Sequence, residues 1–160
     1  FTTLTPQPGI AELPGDRRLV IADIPGLIEG AADGAGLGHD FLRHVERTKV
    51  IVHVIDLVPF DESDPIVNHE VIRRELHAFS PVLAEKPELV VFNKIDLVDS
   101  TERDATIRRV AHAIGLDPTE VVVSSGATGE NVREILERSW KMLIEVEGER
   151  EKWPGRPANA

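Results

Sequence analysis

The sequence contains no cysteine. That excludes a disulfide framework and a thiolate metal centre, and it fits a reducing, cytoplasmic compartment. No apolar run is long enough to span a bilayer: the longest, Val50 to Phe60, is interrupted by His53 and Asp56. There is no signal-peptide pattern, no internal repeat and no low-complexity tract. Basic residues are outnumbered, 18 against 28 acidic, for a net charge of −10. This argues against a broad nucleic-acid-binding face and against sequence-specific DNA recognition. What is present is a chain of 160 residues with 41% apolar content, enough for one domain that buries about 70% of its unfolded surface. It opens on Phe1 rather than Met, within what reads as a functional loop, and we read it as a fragment.

The most informative stretch runs from Asp23 to Thr48, DIPGLIEGAADGAGLGHDFLRHVERT. An apolar run, Arg18 to Ile24, delivers Asp23 into a loop that carries Gly26, Gly30, Gly34, Gly36 and Gly38. A helical pattern follows, with Leu37, Phe41, Leu42 and Val45 on one face. An Asp at a strand end can hold Mg²⁺ directly or through water, and glycine lets a backbone N–H approach a phosphate oxygen.

Along the chain, residues 1–9 read as a polar loop and Ile10 to Leu13 as a short strand before the Pro14-Gly15-Asp16 turn. Arg18 to Ile24, Lys49 to Val58, Leu89 to Asn93 and Glu120 to Val123 are near-continuous apolar runs, which predicts strands buried on both faces. Helices are expected between them. One starts at an Asp64 N-cap with Pro65 in its first turn, buries Ile72, Leu76, Phe79 and Leu83, and is limited by Pro81. Another starts in a capping-box-like Asp99…Glu102, turns Ile107, Val110, Ala111 and Ile114 inward, and stops at Gly115. The last spans Glu130 to about Val146, with Val132, Ile135, Leu136, Trp140 and Leu143 inward, and leaves a loose tail over residues 147–160. Steady strand–helix alternation predicts an α/β sandwich with a mostly parallel sheet, whose ligands sit at the carboxyl ends of the strands.

Three polar clusters fall at such ends: Asp23, Asn93-Lys94-Ile95-Asp96 and Ser125-Gly126-Ala127. A carboxylate such as Asp96 can accept from the ring N–H and the exocyclic amine of guanine. Adenine offers no such pair and would leave a buried Asp96 unsatisfied. Asn93 can bridge neighbouring loops, and the Lys94 stem can cover the base plane. Taken alone, the NKxD string is also compatible with a plain strand-end turn.

FTTL at the start, the DIPGLIEGA…GLG…FLRH.ERT run, NKID and SGATGE together resemble the Obg family of P-loop GTPases, over nearly the whole chain from Phe1 to about Val146. The resemblance implies a three-layer P-loop NTPase fold, guanine-nucleotide (GTP/GDP) binding, Mg²⁺ dependence, slow GTP hydrolysis and a link to ribosome assembly. In Phe1-Thr2-Thr3-Leu4, Thr3 resembles the switch I threonine that meets Mg²⁺, with Thr2 its less favoured neighbour. Asp23, in Asp23-Ile24-Pro25-Gly26, resembles the switch II aspartate that holds the Mg²⁺ hydration shell, and the Gly26 N–H would meet the γ-phosphate. Asn93, Lys94, Ile95 and Asp96 resemble the guanine-reading set. Ser125, Gly126 and Ala127 resemble the loop whose backbone N–H meets the base oxygen, although the family often has Ala where Gly126 stands. Leu27 occupies the position where many GTPases place a water-orienting glutamine. No catalytic base is therefore named.

The family's phosphate-binding string, GxxxxGK[ST], does not occur in these 160 residues. The resemblance places it, with the first strand and first helix of the fold, upstream of Phe1. That strand would lie between the runs Arg18 to Ile24 and Lys49 to Val58, so those two are expected to face a gap. Residues 1–146 then form a partial G domain beginning in switch I, and the chain alone is expected to bind GTP weakly and to hydrolyse it negligibly. The alternative is a non-catalytic module that docks on the large ribosomal subunit or another partner. Plainer readings stand beside these. Asp23 could be a turn residue before Pro25. The Gly34 to Gly38 segment could be a dinucleotide fingerprint, but its spacing is wrong. His39 and His44 diverge on a helix, so a metal pair there is disfavoured. His53 reads as a packed core histidine, His69, His77 and His112 as surface residues, Asp56 as a loop cap and Trp140 as core.

Overall fold

Apolar runs punctuated by proline and glycine set the order of the elements. A computed structural model describes residues 8–24 and 39–152. They form β1 (Pro8–Leu13), β2 (Arg17–Ala22), α1 (His39–Glu46), β3 (Ile51–Asp56), α2 (Pro65–Phe79), α3 (Pro81–Ala84), β4 (Glu88–Asn93), α4 (Arg103–Ala113), β5 (Val122–Val123) and α5 (Val132–Lys152). Strands β3, β4 and β5 make a parallel sheet in that order, with Asp56 opposite Asn93 at its carboxyl edge. Strands β1 and β2 form a separate antiparallel ribbon through the Pro14–Arg17 turn.

The sheet is covered on both sides. Ile55 of β3 and Val90 and Phe92 of β4 pack against Val110 and Ala111 of α4, with Ile66 of α2 alongside. Ile51 meets Val45, Leu76, Leu83 and Ala84 at the end where α1, α2 and α3 converge. On the opposite face Leu89, Val91 and Val122 pack on Ile135 and Met142 of α5. This is a three-layer α/β arrangement, as expected. The ribbon is tied to α5 by Arg17, which donates to both oxygens of Glu137 at 2.7 and 3.0 Å and lies 5.7 Å from the Trp140 ring centroid.

The structure corrects several local expectations. The run Arg18 to Ile24 is not buried on both faces: β2 ends at Ala22, and Val20 is 71% exposed. Its only strand partner among the described residues is β1, so its other edge is unpaired there. Strand β3 alternates, with Val52 and Val54 exposed, because α5 lies under β4 and β5 and not under β3. Strands β2 and β3 do not pair with each other, and a cleft of about 1510 Å³ lies between them. That is the expected gap. Glu120 belongs to a 3-10 turn, Pro118–Glu120, in place of a strand. Asp117 and Glu120 form a reciprocal capping box there, with bonds of 2.8 and 2.7 Å. Asp99 bonds the N–H and hydroxyl of Thr101 and does not cap α4, whose N-cap is Glu102. Helix α5 continues to Lys152, beyond the expected end at Val146, and Lys49 pairs with its Glu147. Val132 is exposed, and Trp140 is half-buried, not core.

Candidate functional site

The carboxyl edge of the parallel sheet is held together by side chains from three strand ends. The in-register pairing of Asp56 with Asn93 puts their side chains side by side, and Asn93 Nδ2 donates to Asp56 Oδ1 at 3.2 Å. The side-chain Oδ1 of Asn93 accepts from the Gly126 N–H at 2.9 Å and so clips the loop after β5 to the end of β4. Lys94 sits at a left-handed φ of 65°, which turns the chain sharply out of β4, and its Nζ lies 3.0 Å from Asp56 Oδ2. Asp56 is thus an anchor for the Asn93-Lys94 segment and not the loop cap expected of it. Its role was not legible because the pairing spans 37 residues and depends on strand register.

Beyond Lys94 the chain makes a 3-10 turn, Ile95–Leu97. Ile95 is 1% exposed, its side chain sits in the core, and its N–H donates to Ser124 O at 3.1 Å. It is therefore a buttress within the expected NKID set, buried in side chain and backbone alike. Asp96 is exposed, not buried, and its Oδ1 accepts from Ser125 Oγ at 2.7 Å. Ser125 is fully buried, and its Oγ also accepts from Thr128 N at 3.1 Å. One hydroxyl thereby fixes both the carboxylate and the loop. A carboxylate has about four acceptor positions, so Asp96 keeps capacity for an external donor.

The loop after β5 uses most of its amides internally. Ser125 N donates to Glu130 O, Gly126 N to Asn93 Oδ1, Thr128 N to Ser125 Oγ and Gly129 N to Ser125 O. Ala127 is left as the one amide between residues 125 and 129 without a partner among the described residues. Asn131, at φ 57°, donates from its side chain to Val123 O at 2.8 Å and turns the chain into α5.

Asp23 lies across the cleft. It is exposed, lines the cleft wall together with Ile24, and makes no hydrogen bond or ion pair among the described residues. Asp56 and Lys94 line the opposite wall. The side chain of Ile24 packs on the cluster around Val45 and Leu76, which makes it a support. Phe1, Thr2, Thr3, Leu4, Pro25 and Gly26 lie outside the described residues. The structure therefore brings Asn93, Lys94, Asp96, Ser125, Gly126 and Ala127 together, places Asp23 on the facing wall, and does not address the switch I set.

Comparison with known proteins agrees with this architecture. Residues 1–94 match the model of a family described as "50S ribosome-binding GTPase". The chain is 49% identical over 146 residues to GTPase Obg of Aquifex aeolicus, covering 91% of this chain and 42% of that protein. It is 50% identical over 143 residues to GTPase Obg of Symbiobacterium thermophilum, covering 89% of this chain and 33% of that protein. The chain thus spans less than half the length of these relatives. In fold it is similar to Era, solved in complex with MgGDPNP and nucleotides 1506–1542 of 16S ribosomal RNA. There the TM-score is 0.52 at 17% identity, over 88% of this chain and 45% of the other. The family match spans more than half of the sequence, and the parallel sheet with helices on both faces is consistent with it: the chain belongs to the 50S ribosome-binding GTPase family.

Proposed function

We propose that this chain carries the base-reading half of a guanine-nucleotide site, and that the protein it belongs to is a Mg²⁺-dependent GTP hydrolase acting in the cytoplasm on the large ribosomal subunit during assembly. The observation that carries the base-reading part is the Ser125–Asp96–Asn93–Gly126 network. Asp96 is oriented by a buried hydroxyl and still exposed, so it is ready to accept from the ring N–H and exocyclic amine of guanine. The Ala127 N–H is the loop donor available to the base oxygen, since the Gly126 N–H is taken by Asn93. Lys94, pinned by Asp56, holds its stem beside the base plane.

For the metal, Asp23 offers a hard carboxylate oxygen that no described residue engages, on the wall of the cleft, which suits Mg²⁺ held directly or through water. Thr3 is proposed as its switch I partner. The bound ion would supply charge neutralisation at the β/γ-phosphates. The γ-phosphate contact at Gly26 and the surrounding Phe1, Thr2, Leu4, Ile24 and Pro25 backbone complete the proposed set. The ribosomal partner is supported by the family description.

Because no GxxxxGK[ST] string is present, the chain by itself has the base reader without the lysine and glycine nest that hold the phosphates. Titrating it with GDP, GTP and ADP in Mg²⁺, with circular dichroism on the same sample, tests both parts. The expected result is a folded chain that binds GDP and GTP weakly and ADP not detectably. Micromolar GDP affinity would overturn the weak-binding part, and equal affinity for ADP would overturn guanine reading.

A further inference from the structure

Away from the nucleotide edge, three chemistry-bearing side chains meet on the face of the sheet that packs under α2. His53, the third residue of β3, is only 8% exposed. His69 of α2, expected at the surface, instead has a side chain 13% exposed and stacks on His53 with ring centroids 5.0 Å apart and planes at 14°. Glu88, the first residue of β4, completes the group: its Oε1 lies 3.7 Å from His53 Nδ1 and 3.8 Å from His69 Nε2.

Those separations are too long for hydrogen bonds, for which about 2.7–3.2 Å is usual. The Nδ1 atoms of both His53 and His69 are buried with no hydrogen-bond partner. Buried polar nitrogens of this kind are uncommon; the one at His53 Nδ1 faces Glu88 Oε1 and calls for a ligand, and His69 turns its other nitrogen, Nε2, toward the same oxygen. The carboxylate is held in place from behind. Arg73 Nη1 bonds its Oε2 at 2.8 Å, and Arg73 Nη2 is itself fixed by Ala84 O at 2.8 Å. Glu88 therefore presents Oε1 between two imidazoles in a fixed orientation. Burial alone would raise its carboxyl, but the imidazoles and the guanidinium together hold it well below the usual carboxylate range.

One potential ligand atom from each residue lies within 4.8 Å of the other two. Ligand atoms on a tetrahedral Zn²⁺, with bonds of about 2.0–2.1 Å, sit about 3.3 Å apart. The two nitrogen–Oε1 separations, 3.7 and 3.8 Å, close to that spacing with a contraction of about half an ångström, and the remaining separation, within 4.8 Å, closes with a shift of up to about 1.5 Å of His69 toward His53. Two imidazoles and one carboxylate select a borderline transition metal over Mg²⁺ or Ca²⁺, which prefer all-oxygen sets. Arg73 carries like charge to the ion. It bonds the other oxygen of Glu88, so the carboxylate stands between the two charges.

We propose that His53 Nδ1, His69 Nε2 and Glu88 Oε1 form a Zn²⁺ site that cross-links β3, α2 and β4. His53 and Glu88 also line the cleft, which gives the ion an entry path and leaves a fourth coordination position for water. Equilibrium dialysis and calorimetry of the untagged chain with Zn²⁺ test this. The expected result is one saturable equivalent bound at micromolar Kd or tighter, with a rise in Tm. Binding should weaken at least tenfold in His69→Gln, a change at a partly exposed helix position, with the circular dichroism spectrum unchanged. Co²⁺ added to the unsubstituted chain should give the intense visible bands of a four-coordinate site, a readout that needs no variant to fold. Absence of saturable uptake, a Co²⁺ spectrum no stronger than the aqueous ion, or undiminished uptake in His69→Gln would each overturn the proposal.

Discussion

A side-chain amide has both acceptor and donor capacity, and Asn93 uses each once, toward Gly126 and Asp56. Truncating it leaves a loop N–H and a carboxylate oxygen without their partner. Asn93→Ala is therefore expected to lower stability by about 1–3 kcal/mol in urea unfolding, and an unchanged midpoint would contradict that. Gly126 invites the opposite change. An added Cβ there would meet nothing closer than Asn93 Oδ1 at 3.7 Å, an ordinary contact. Gly126→Ala should be neutral or stabilising by up to about 1 kcal/mol. The same change at Gly129, where φ is +83°, should cost about 1–2 kcal/mol from backbone strain alone. Thermal unfolding of the two variants should move in different directions, and a large loss at Gly126 would contradict this account of the loop. At this scale the meeting of Asn93, Asp96 and Ser125 at one sheet edge is legible, because their strings end apolar runs. Asp56, Ile95 and His69 were not. Asp56 depends on register between strands distant in sequence, Ile95 on which side of a 3-10 turn faces the core, and His69 on how α2 rolls over β3.

Elements begin and end where local hydrogen bonding dictates. Helix α2 starts at Asp64, whose carboxylate accepts from Ile66 N at 2.8 Å with Pro65 in the first turn, and it stops where Ser80 N–H bonds Leu76 O. Ser80 then caps α3 through its Oγ and donates to Glu46 at 2.7 Å. Asp64→Ala should cost about 1 kcal/mol. The Asp64, Pro65 and Pro81 signals made these boundaries readable. The end of α5 was not, because the acidic Glu145 to Glu151 run looks like a solvated tail, whereas Lys49 pairs with Glu147 on it. The bond between the ribbon and α5 also has a pH signature. The Arg17 hydrogen bond, opposed by desolvation and aided by its charge, holds the Glu137 carboxyl below its ordinary value. A depressed folded pKa contributes stability above the unfolded value, about 4.3, and that contribution is lost as pH falls through the folded value. The stability gap between the unsubstituted chain and Glu137→Gln should thus be constant near neutrality and shrink below about pH 4.5. A gap that widens on acidification would contradict the assignment.

At the scale of the whole molecule, a parallel three-stranded sheet with helices on both faces presents the Asn93–Asp96 and Ser125–Ala127 segments at its carboxyl edge, and a cleft separates it from the β1–β2 ribbon and Asp23. The α/β class was legible because apolar runs alternate with helical patterns at steady spacing. The division into two sheets was legible only as a gap implied by resemblance. Burial on both faces does not hold for β2 and β3, since an apolar strand exposes one side wherever a neighbouring layer is lacking. No helix among the described residues is long and apolar enough to cross a membrane. The proposed guanine reading rests on the paired acceptors of Asp96. Ligand-observed NMR of the chain and its Asp96→Asn variant, with GDP and xanthosine diphosphate in Mg²⁺, tests it most directly. Xanthine replaces the exocyclic amine of guanine with a carbonyl, which suits an amide donor at residue 96. The account predicts that Asp96→Asn weakens GDP at least tenfold, in line with about 1.5–3 kcal/mol for hydrogen bonds to a charged group, while xanthosine diphosphate binds better than GDP. GDP affinity and preference unchanged in the variant would contradict it.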